Sequence, residues 1–187
     1  ILEVEWKTRL RIAMRGAAGG RYMETDSGLM KDATELVFSP PRSQTVLWSG
    51  EKNKLLANEF CRTFRNCQTL EMYLEAHYPA FYQELFELSA RSWARAEEIW
   101  FYLSTRLAES ASGDVRVFAA GVARPETNPG GKVDITKYKN KYKSRAGTAA
   151  YCNSVFEKCE GPALDTNQKV ERIFLMGRNI NARVSEW

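Results

Sequence analysis

Apolar residues along the chain follow two spacings, one typical of helices and one typical of buried strands. Two short apolar runs end in glycine, at residues 45–50 and 115–121, and both predict buried strands. Apolar positions at steps of three and four predict a helix over 55–64 and a longer helical region over 69–112, interrupted at Pro79. A helix that leads into a short hydrophobic strand predicts an α/β fold with a small parallel sheet.

The segments outside this pattern are less regular. A helix-like start at Val4 precedes a glycine-rich break at 16–20 and a polar stretch that ends at Pro40. Gly113 is placed to end the helical region. Residues 122–151 are predicted to be an irregular insertion.

The insertion contains a basic segment, residues 132–145, and basic and uncharged residues alternate over its second part, residues 137–145. The alternating basic residues are Lys137, Lys139, Lys141, Lys143 and Arg145. In an extended chain they would share one side. Two interpretations stay open: a solvated edge strand or loop, or a surface for phosphate or an acidic partner. The second supports an alternative function, a nucleic-acid-acting toxin or RNA-binding module.

Composition excludes few classes of protein, but it narrows the chemistry. The net charge of +4 is too small to indicate nucleic-acid binding by itself. No apolar run approaches the roughly 20 residues of a membrane span, so no membrane association is expected. No leader is visible at Ile1, and we expect the chain to be a piece of something longer.

Cysteine and histidine usage does not predict a metal site. The cysteines form two close pairs, Cys61 with Cys67 and Cys152 with Cys159, and no CxxC unit occurs. Each pair is consistent with a local disulfide or with free thiols. His77 is the single histidine, so a histidine-dependent hydrolase mechanism would have to use it. Its apolar surroundings favour a structural role instead.

Three segments, taken in chain order, carry the motifs that bear on function. The first is Val46-Leu47-Trp48-Ser49, with Thr69-Leu70-Glu71 downstream. The second begins at Trp100 and continues through Ser104, Arg106 and Ala108-Glu109 to the next strand. The third is Asn153-Ser154-Val155-Phe156, followed by Glu160, and the apolar run 173–176 after it predicts a further strand.

In order and spacing these segments resemble the motifs of the ADP-ribosyl cyclase family, whose members cleave NAD. The resemblance covers roughly residues 44–176. It implies an NAD glycohydrolase that releases nicotinamide and ADP-ribose, or cyclic ADP-ribose, with NAD as the substrate and no cofactor.

The resemblance also implies roles for individual residues. Glu160 would be the catalytic carboxylate, and Ser104 would meet the reacting ribose. The substrate-binding residues would be Trp48, Ser49, Glu71, Trp100 and Phe156. Glu71 would lie near the nicotinamide amide, where it would influence hydrolysis against cyclisation.

Elementary chemistry agrees with this assignment. Nicotinamide in NAD is a cationic aromatic ring, and an indole face attracts a cation by about 0.5–2 kcal/mol. Cleavage builds an oxocarbenium-like centre that a carboxylate stabilises. Trp48 and Trp100 are suitable walls, and Ser104 lies one helical turn after Trp100 on the same face.

Alternative interpretations exist for several of these residues. Trp48 and Trp100 are also suitable core aromatics. Glu71 is also suitable as a helix-start residue after Thr69. Glu157 competes with Glu160 for the catalytic role, although spacing from Phe156 favours Glu160.

The sequence departs from the family pattern at several places. Met72 replaces the family's aspartate, and Gly50 replaces an arginine. One family disulfide would fall near Arg42 and Ser112, where no cysteine stands. These departures weaken the expectation of cyclase activity more than that of NAD cleavage.

The resemblance implies two interleaved lobes with the active site in the cleft between them. Residues 1–42 and 69–111 would form a helical lobe, and residues 43–68 and 112–187 a parallel-sheet lobe. Without the family's disulfides or a visible leader, we expect an antibacterial toxin domain, as in contact-dependent growth inhibition. It would be secreted or delivered within a larger protein, act in the target-cell cytoplasm, and meet a cognate immunity protein.

Overall fold

The computed structural model describes residues 26–64, 66–119, 132–134 and 155–176. The helices described are α1 Ser27–Glu35, α2 Glu51–Thr63, α3 Leu70–His77, α4 Pro79–Arg91, α5 Trp93–Ser110 and α6 Gly161–Thr166. A π-helical turn, Phe156–Glu160, runs directly into α6. The strands described are β1 Val46–Ser49, β2 Gly113–Ala119, β3 Lys132–Asp134 and β4 Val170–Met176.

The strands form one sheet in the order β1-β2-β4-β3. β1 pairs parallel with β2, and β2 pairs parallel with β4. β3 adds to the edge of this parallel core as an antiparallel strand beside β4. The chain is therefore an α/β protein with a small parallel three-stranded core, as the sequence predicts.

The two faces of the sheet bury different sets of side chains, because successive strand residues point to opposite faces. Leu47, Val115 and Val117 belong to the main core, which α1 and α3 to α5 share with the sheet. Val46 and Phe118 pack on the other face with residues of α2 such as Phe60. The sheet is thus covered on both faces, as parallel strands require.

The helical region 69–112 has two interruptions rather than the one predicted. Thr69 caps α3, its hydroxyl accepting a hydrogen bond from the Met72 N–H at 3.4 Å, and Pro79 begins α4. Ser92, which has extended backbone angles, separates α4 from α5. The prediction of a single break was wrong here because no glycine or proline marks the second one, while apolar spacing continues across it.

Other boundaries also differ from the predicted ones. α1 lies in the stretch expected to be merely polar, where Asp26 accepts a hydrogen bond from the Leu29 N–H at 3.1 Å. α2 begins four residues earlier than predicted. The predicted insertion at 122–151 contains β3, so it is not wholly irregular. The helix start at Val4 and the alternating residues 137–145 lie outside the described ranges.

Candidate functional site

The C-terminal end of β1 presents Trp48 and Ser49 where the chain turns into α2. Ser49 is buried, and its backbone carbonyl accepts a hydrogen bond from the Asn53 side chain. Gly50 makes the turn with φ of +89°, a conformation that a residue with a Cβ rarely adopts. An arginine here would be strained, so glycine fits the turn at the position where this sequence departs from the family pattern.

Glu71 lies in the first turn of α3 and meets Trp48. The Trp48 indole N–H donates a hydrogen bond to Glu71 Oε2 at 3.1 Å. Lys54 of α2 adds its ammonium group, which lies 3.7 Å from Glu71 Oε1 and 5.3 Å from the centroid of the Trp48 ring. Glu71 is therefore both the acidic residue of a helix start and a neighbour of the predicted aromatic wall.

Glu160 is buried where the π-helical turn packs against α5. The Ser104 hydroxyl of α5, also buried, donates a hydrogen bond to the Glu160 carboxylate. Among the described residues, Glu160 Oε2 has no hydrogen-bond partner. A buried carboxylate oxygen left unpaired is costly unless something else binds it.

The electrostatic environment of Glu160 favours its protonated form. Burial, the largest effect, raises the pKa of the Glu160 carboxyl to about 8. The Ser104 hydrogen bond opposes this shift, and the negative charge of Glu71 adds to it. The negative charge of Glu71, which is bonded to Trp48, therefore acts on the Glu160 carboxyl.

The π-helical turn explains the placement of Glu160. The Gly161 N–H donates to the Phe156 carbonyl, five residues earlier, and this wide turn ends at α6. A Cβ on Gly161 would stand 3.0 Å from that carbonyl oxygen, so glycine permits the close approach. Phe156 is buried in the main core. π-helical turns are rare and frequently occur at functional sites.

Glu157 occupies the same π-helical turn as Glu160. Its side chain lies outside the described part of the structure, as do Asn153 and Ser154 of the same motif. The preference for Glu160 over Glu157 therefore stays a prediction, supported by the burial of Glu160 and its contact with Ser104.

Trp100 is held by α4. Its indole N–H donates a hydrogen bond to Ser89 Oγ at 2.8 Å, and its ring is half-buried against the main core. Ser104 follows one turn later on α5, as predicted, and is joined to Glu160. The contacts described for Trp100 are those of a packing residue, and its role as a second wall of the site stays a prediction.

Two residues of the site, Lys54 and Asn53, were missed in the sequence. Asn53 is buried and binds the Ser49 carbonyl, while Lys54 pairs with Glu71. The helical spacing placed only residues 55–64 in a helix. Extending that helix back to the glycine after β1 would have put both residues in its first turns, beside the strand end.

The surroundings of the described cysteines favour a structural role for them. Cys61 and Cys67 are free thiols, which decides the first pair against a disulfide; Cys152 of the second pair lies outside the described residues. Burial raises the pKa of the Cys61 thiol to about 12, with Cys67 adding to the shift and Arg116 opposing it. Cys61 is therefore not a ready nucleophile.

His77 ends α3, with its ring centroid 4.3 Å from that of Tyr73.

Within the described ranges, no group of three or more histidine, cysteine or acidic residues is arranged to hold a metal ion. In the same part of the chain, no helix combines the length and apolar character needed to cross a membrane. A cavity of about 410 Å³ lies beside Cys61, Cys67 and Met72 and includes none of the predicted site residues.

Comparison with protein-family models finds no match for this chain. Comparison with curated protein sequences finds no significant match either.

Proposed function

We propose that this protein is an NAD glycohydrolase of the ADP-ribosyl cyclase type, with Glu160 as its catalytic carboxylate. The observation that carries this function is the buried Glu160 with an unpaired oxygen, hydrogen-bonded to Ser104 and electrostatically coupled to Glu71 beside Trp48. Hydrogen bonds within the two pairs, and the charge of Glu71 acting on Glu160, thus link four residues from three separate sequence motifs.

The grouping suits cleavage of a cationic nucleoside bond. An indole with a carboxylate at its edge favours a positively charged ring, and the ring loses that charge as it leaves. The ribosyl centre becomes positive at the same time, which favours a second carboxylate held close to it. Trp48 with Glu71 would serve the base, and Glu160 with Ser104 the ribose.

The contacts at residues 42–43 and 112–114 also support a cyclase-like architecture. The family disulfide would fall near Arg42 and Ser112, and the Ser43 N–H donates to the Ser112 carbonyl at 2.8 Å. The Asp114 N–H donates to Ser43 Oγ at 3.0 Å. Hydrogen bonds therefore join the two segments that a disulfide would join in the family.

The test is release of nicotinamide from NAD by the wild-type protein and by matched variants. Glu160→Gln keeps the shape of the side chain and removes its charge, so its rate should fall on the order of a hundredfold to a thousandfold. Ser104→Ala should lose less, because it removes only one hydrogen bond. Glu157→Gln is the control and should retain activity.

Two outcomes would overturn this assignment. No release by folded wild-type protein would exclude NAD cleavage. Loss of activity in Glu157→Gln, with Glu160→Gln active, would move the catalytic role to Glu157. Analysis of the products by chromatography would separate ADP-ribose from cyclic ADP-ribose.

The biological setting is proposed on the sequence alone: a delivered antibacterial toxin domain that depletes NAD in a neighbouring cell and is neutralised by an immunity protein. Expression in bacteria with and without a small neighbouring gene would test it. Toxicity that depends on Glu160 and is relieved by that gene is the expected result.

A further inference from the structure

Lys54 occupies a small cation-binding arrangement that we call the cation cage, formed by the Trp48 ring and the Glu71 carboxylate. Its ammonium lies 5.3 Å from the centroid of the Trp48 ring and 3.7 Å from Glu71 Oε1. The Trp48 indole N–H holds the other carboxylate oxygen at 3.1 Å. The cage is thus preformed, and a cation of the protein itself fills it.

The burial of these groups indicates which of them can move. The Glu71 side chain is 15% exposed and fixed by the indole, whereas the Lys54 side chain is 40% exposed on a flexible four-carbon stem. An exposed lysine ion pair contributes little to stability, so Lys54 can leave the cage for solvent at small cost. The cage itself would remain.

We propose that Lys54 is a specificity-determining residue: it fills the cation cage in the empty protein and competes there with the cationic ring of the substrate. A charged ring needs both members of the cage and must displace the ammonium. A neutral ring competes only for the Trp48 face and leaves the ion pair of Lys54 with Glu71 in place. Lys54 therefore reduces the preference of the site for charged rings over neutral ones.

This competition would also give Lys54 a role in the reaction. That role rests on the proposed function, because NAD cleavage is what would bring nicotinamide to the cage. Bound NAD carries a positive pyridinium ring, and cleavage leaves neutral nicotinamide. The neutral product no longer carries the positive charge that competes for Glu71, so the ammonium of Lys54 returns to Trp48 and Glu71 as the product departs. Lys54 would thereby favour product release.

The test uses two small probes that differ in charge, 1-methylnicotinamide (a cation) and nicotinamide (neutral). Their dissociation constants are measured by calorimetry on the wild type, Lys54→Met and Lys54→Arg. Arg62→Met is the matched control, since it removes one positive charge from the same helix at an exposed residue paired with Glu59 instead of Glu71. Circular dichroism checks that each variant is folded.

The ratio of the two dissociation constants is the decisive quantity. In Lys54→Met the preference for the cation should rise on the order of threefold to tenfold, because the competing ammonium is gone. Lys54→Arg and Arg62→Met should keep the wild-type ratio. An unchanged or lower preference in Lys54→Met would overturn the role of Lys54, and so would the absence of measurable cation binding in every variant.

These measurements are independent of NAD cleavage. If the cation preference rises as expected but NAD is not cleaved, the role of Lys54 in the cage stands and the proposed function fails. If NAD is cleaved but the preference does not change, the proposed function stands and the competition by Lys54 fails.

Discussion

The burial of Glu160 makes the charged form of its carboxyl group unfavourable in the folded protein. Burial raises its pKa to about 8, so near neutral pH the carboxyl is largely protonated, although a carboxylate is the form that stabilises a developing cation. A bound cationic ring would favour ionisation, because an opposite charge nearby lowers the pKa of a carboxyl group. Under the proposed function, the substrate would therefore help to generate the ionised form of Glu160.

Under the proposed function, the pH dependence of NAD cleavage should report this titration. kcat/KM follows the free protein, so it should rise up to tenfold per pH unit below about 8 and level off above it. kcat follows the bound complex and should level off at a lower pH. A steady-state pH profile checks both; a kcat/KM that stays flat from pH 5 to 9 would contradict the role of Glu160.

Glu160→Gln should also make the protein more stable at alkaline pH. The folded pKa of about 8 lies above the ordinary value of 4.5, so the unfolded chain loses this proton first as pH rises. Stability is then lost from about pH 4.5 to about 8, by up to about 1.4 kcal/mol per pH unit.

The glutamine variant lacks this loss. Its free energy of unfolding in urea should exceed that of the wild type at pH 8.5, and the difference should shrink towards pH 4.5. Ser104→Ala, which keeps the carboxyl, is the control and should show no such gain. A Glu160→Gln variant less stable than the wild type at pH 8.5 would contradict the burial of an ionisable group there.

At the scale of elements, the site depends on two backbone turns, one from β1 into α2 and one from the π-helical turn into α6. β1 ends at Ser49, and Gly50 turns the chain into α2 so that Lys54 faces Trp48. The π-helical turn Phe156–Glu160 closes with a hydrogen bond that spans five residues, one more than in an α-helix. Gly161 permits the approach of the Phe156 carbonyl. Glycines therefore enable the backbone turns on both sides of the site.

Gly113, at the start of β2, should tolerate no side chain. Its φ is +71°, and an added Cβ would lie 2.8 Å from Arg42 Cγ and would also strike Ser43 Oγ. Gly113→Ala should lower the free energy of unfolding by about 1–2 kcal/mol from the backbone conformation alone, with a further loss from the clash.

Gly28 provides the matched substitution. It lies in α1, where a Cβ would make only an ordinary contact with Asp26 at 3.6 Å. Gly28→Ala should leave the midpoint of thermal unfolding unchanged or raise it, because alanine favours the helix by roughly 1 kcal/mol. Equal effects of the two substitutions would contradict the close packing at Gly113.

At the scale of the whole molecule, helices α1 and α3 to α5 share the main core with the sheet. Leu74, Leu85 and Leu103 of the helices belong to the same buried cluster as Val115 and Val117 of the sheet. Asn167, just before β4, adds a polar link: its side-chain nitrogen lies 2.8 Å from the Ala111 carbonyl after α5. The two predicted lobes would therefore be coupled.

Unfolding should accordingly be a single cooperative transition. Thermal melts followed by far-ultraviolet circular dichroism, which reports the helices, and by tryptophan fluorescence should have coincident midpoints. Asn167→Ala should lower both midpoints together, whereas a substitution of the exposed Asp32 should not. Separate transitions for the helical signal and the fluorescence would contradict a shared core.

The sequence by itself indicated most of the described elements and suggested candidate residues for the site. Short apolar runs indicated three of the four described strands, and helical spacing indicated the region that became α3, α4 and α5. Motif spacing proposed Trp48, Glu71, Ser104 and Glu160. The predictions of strands and helices succeed because burial imposes periods of two and 3.6 residues on the pattern of apolar side chains. The site residues were proposed from the family resemblance, and their roles stay predictions.

Only the tertiary structure decided which of these residues meet and in what electrostatic state. Periodicity carries no information on contacts between distant segments, so it did not show Trp48 bonded to Glu71, or Glu160 beside Ser104. Nor did it show Lys54 in the cation cage or the break at Ser92. The raised pKa of Glu160 likewise arises from burial among α5, β1 and the π-helical turn, which exists only after the chain has folded.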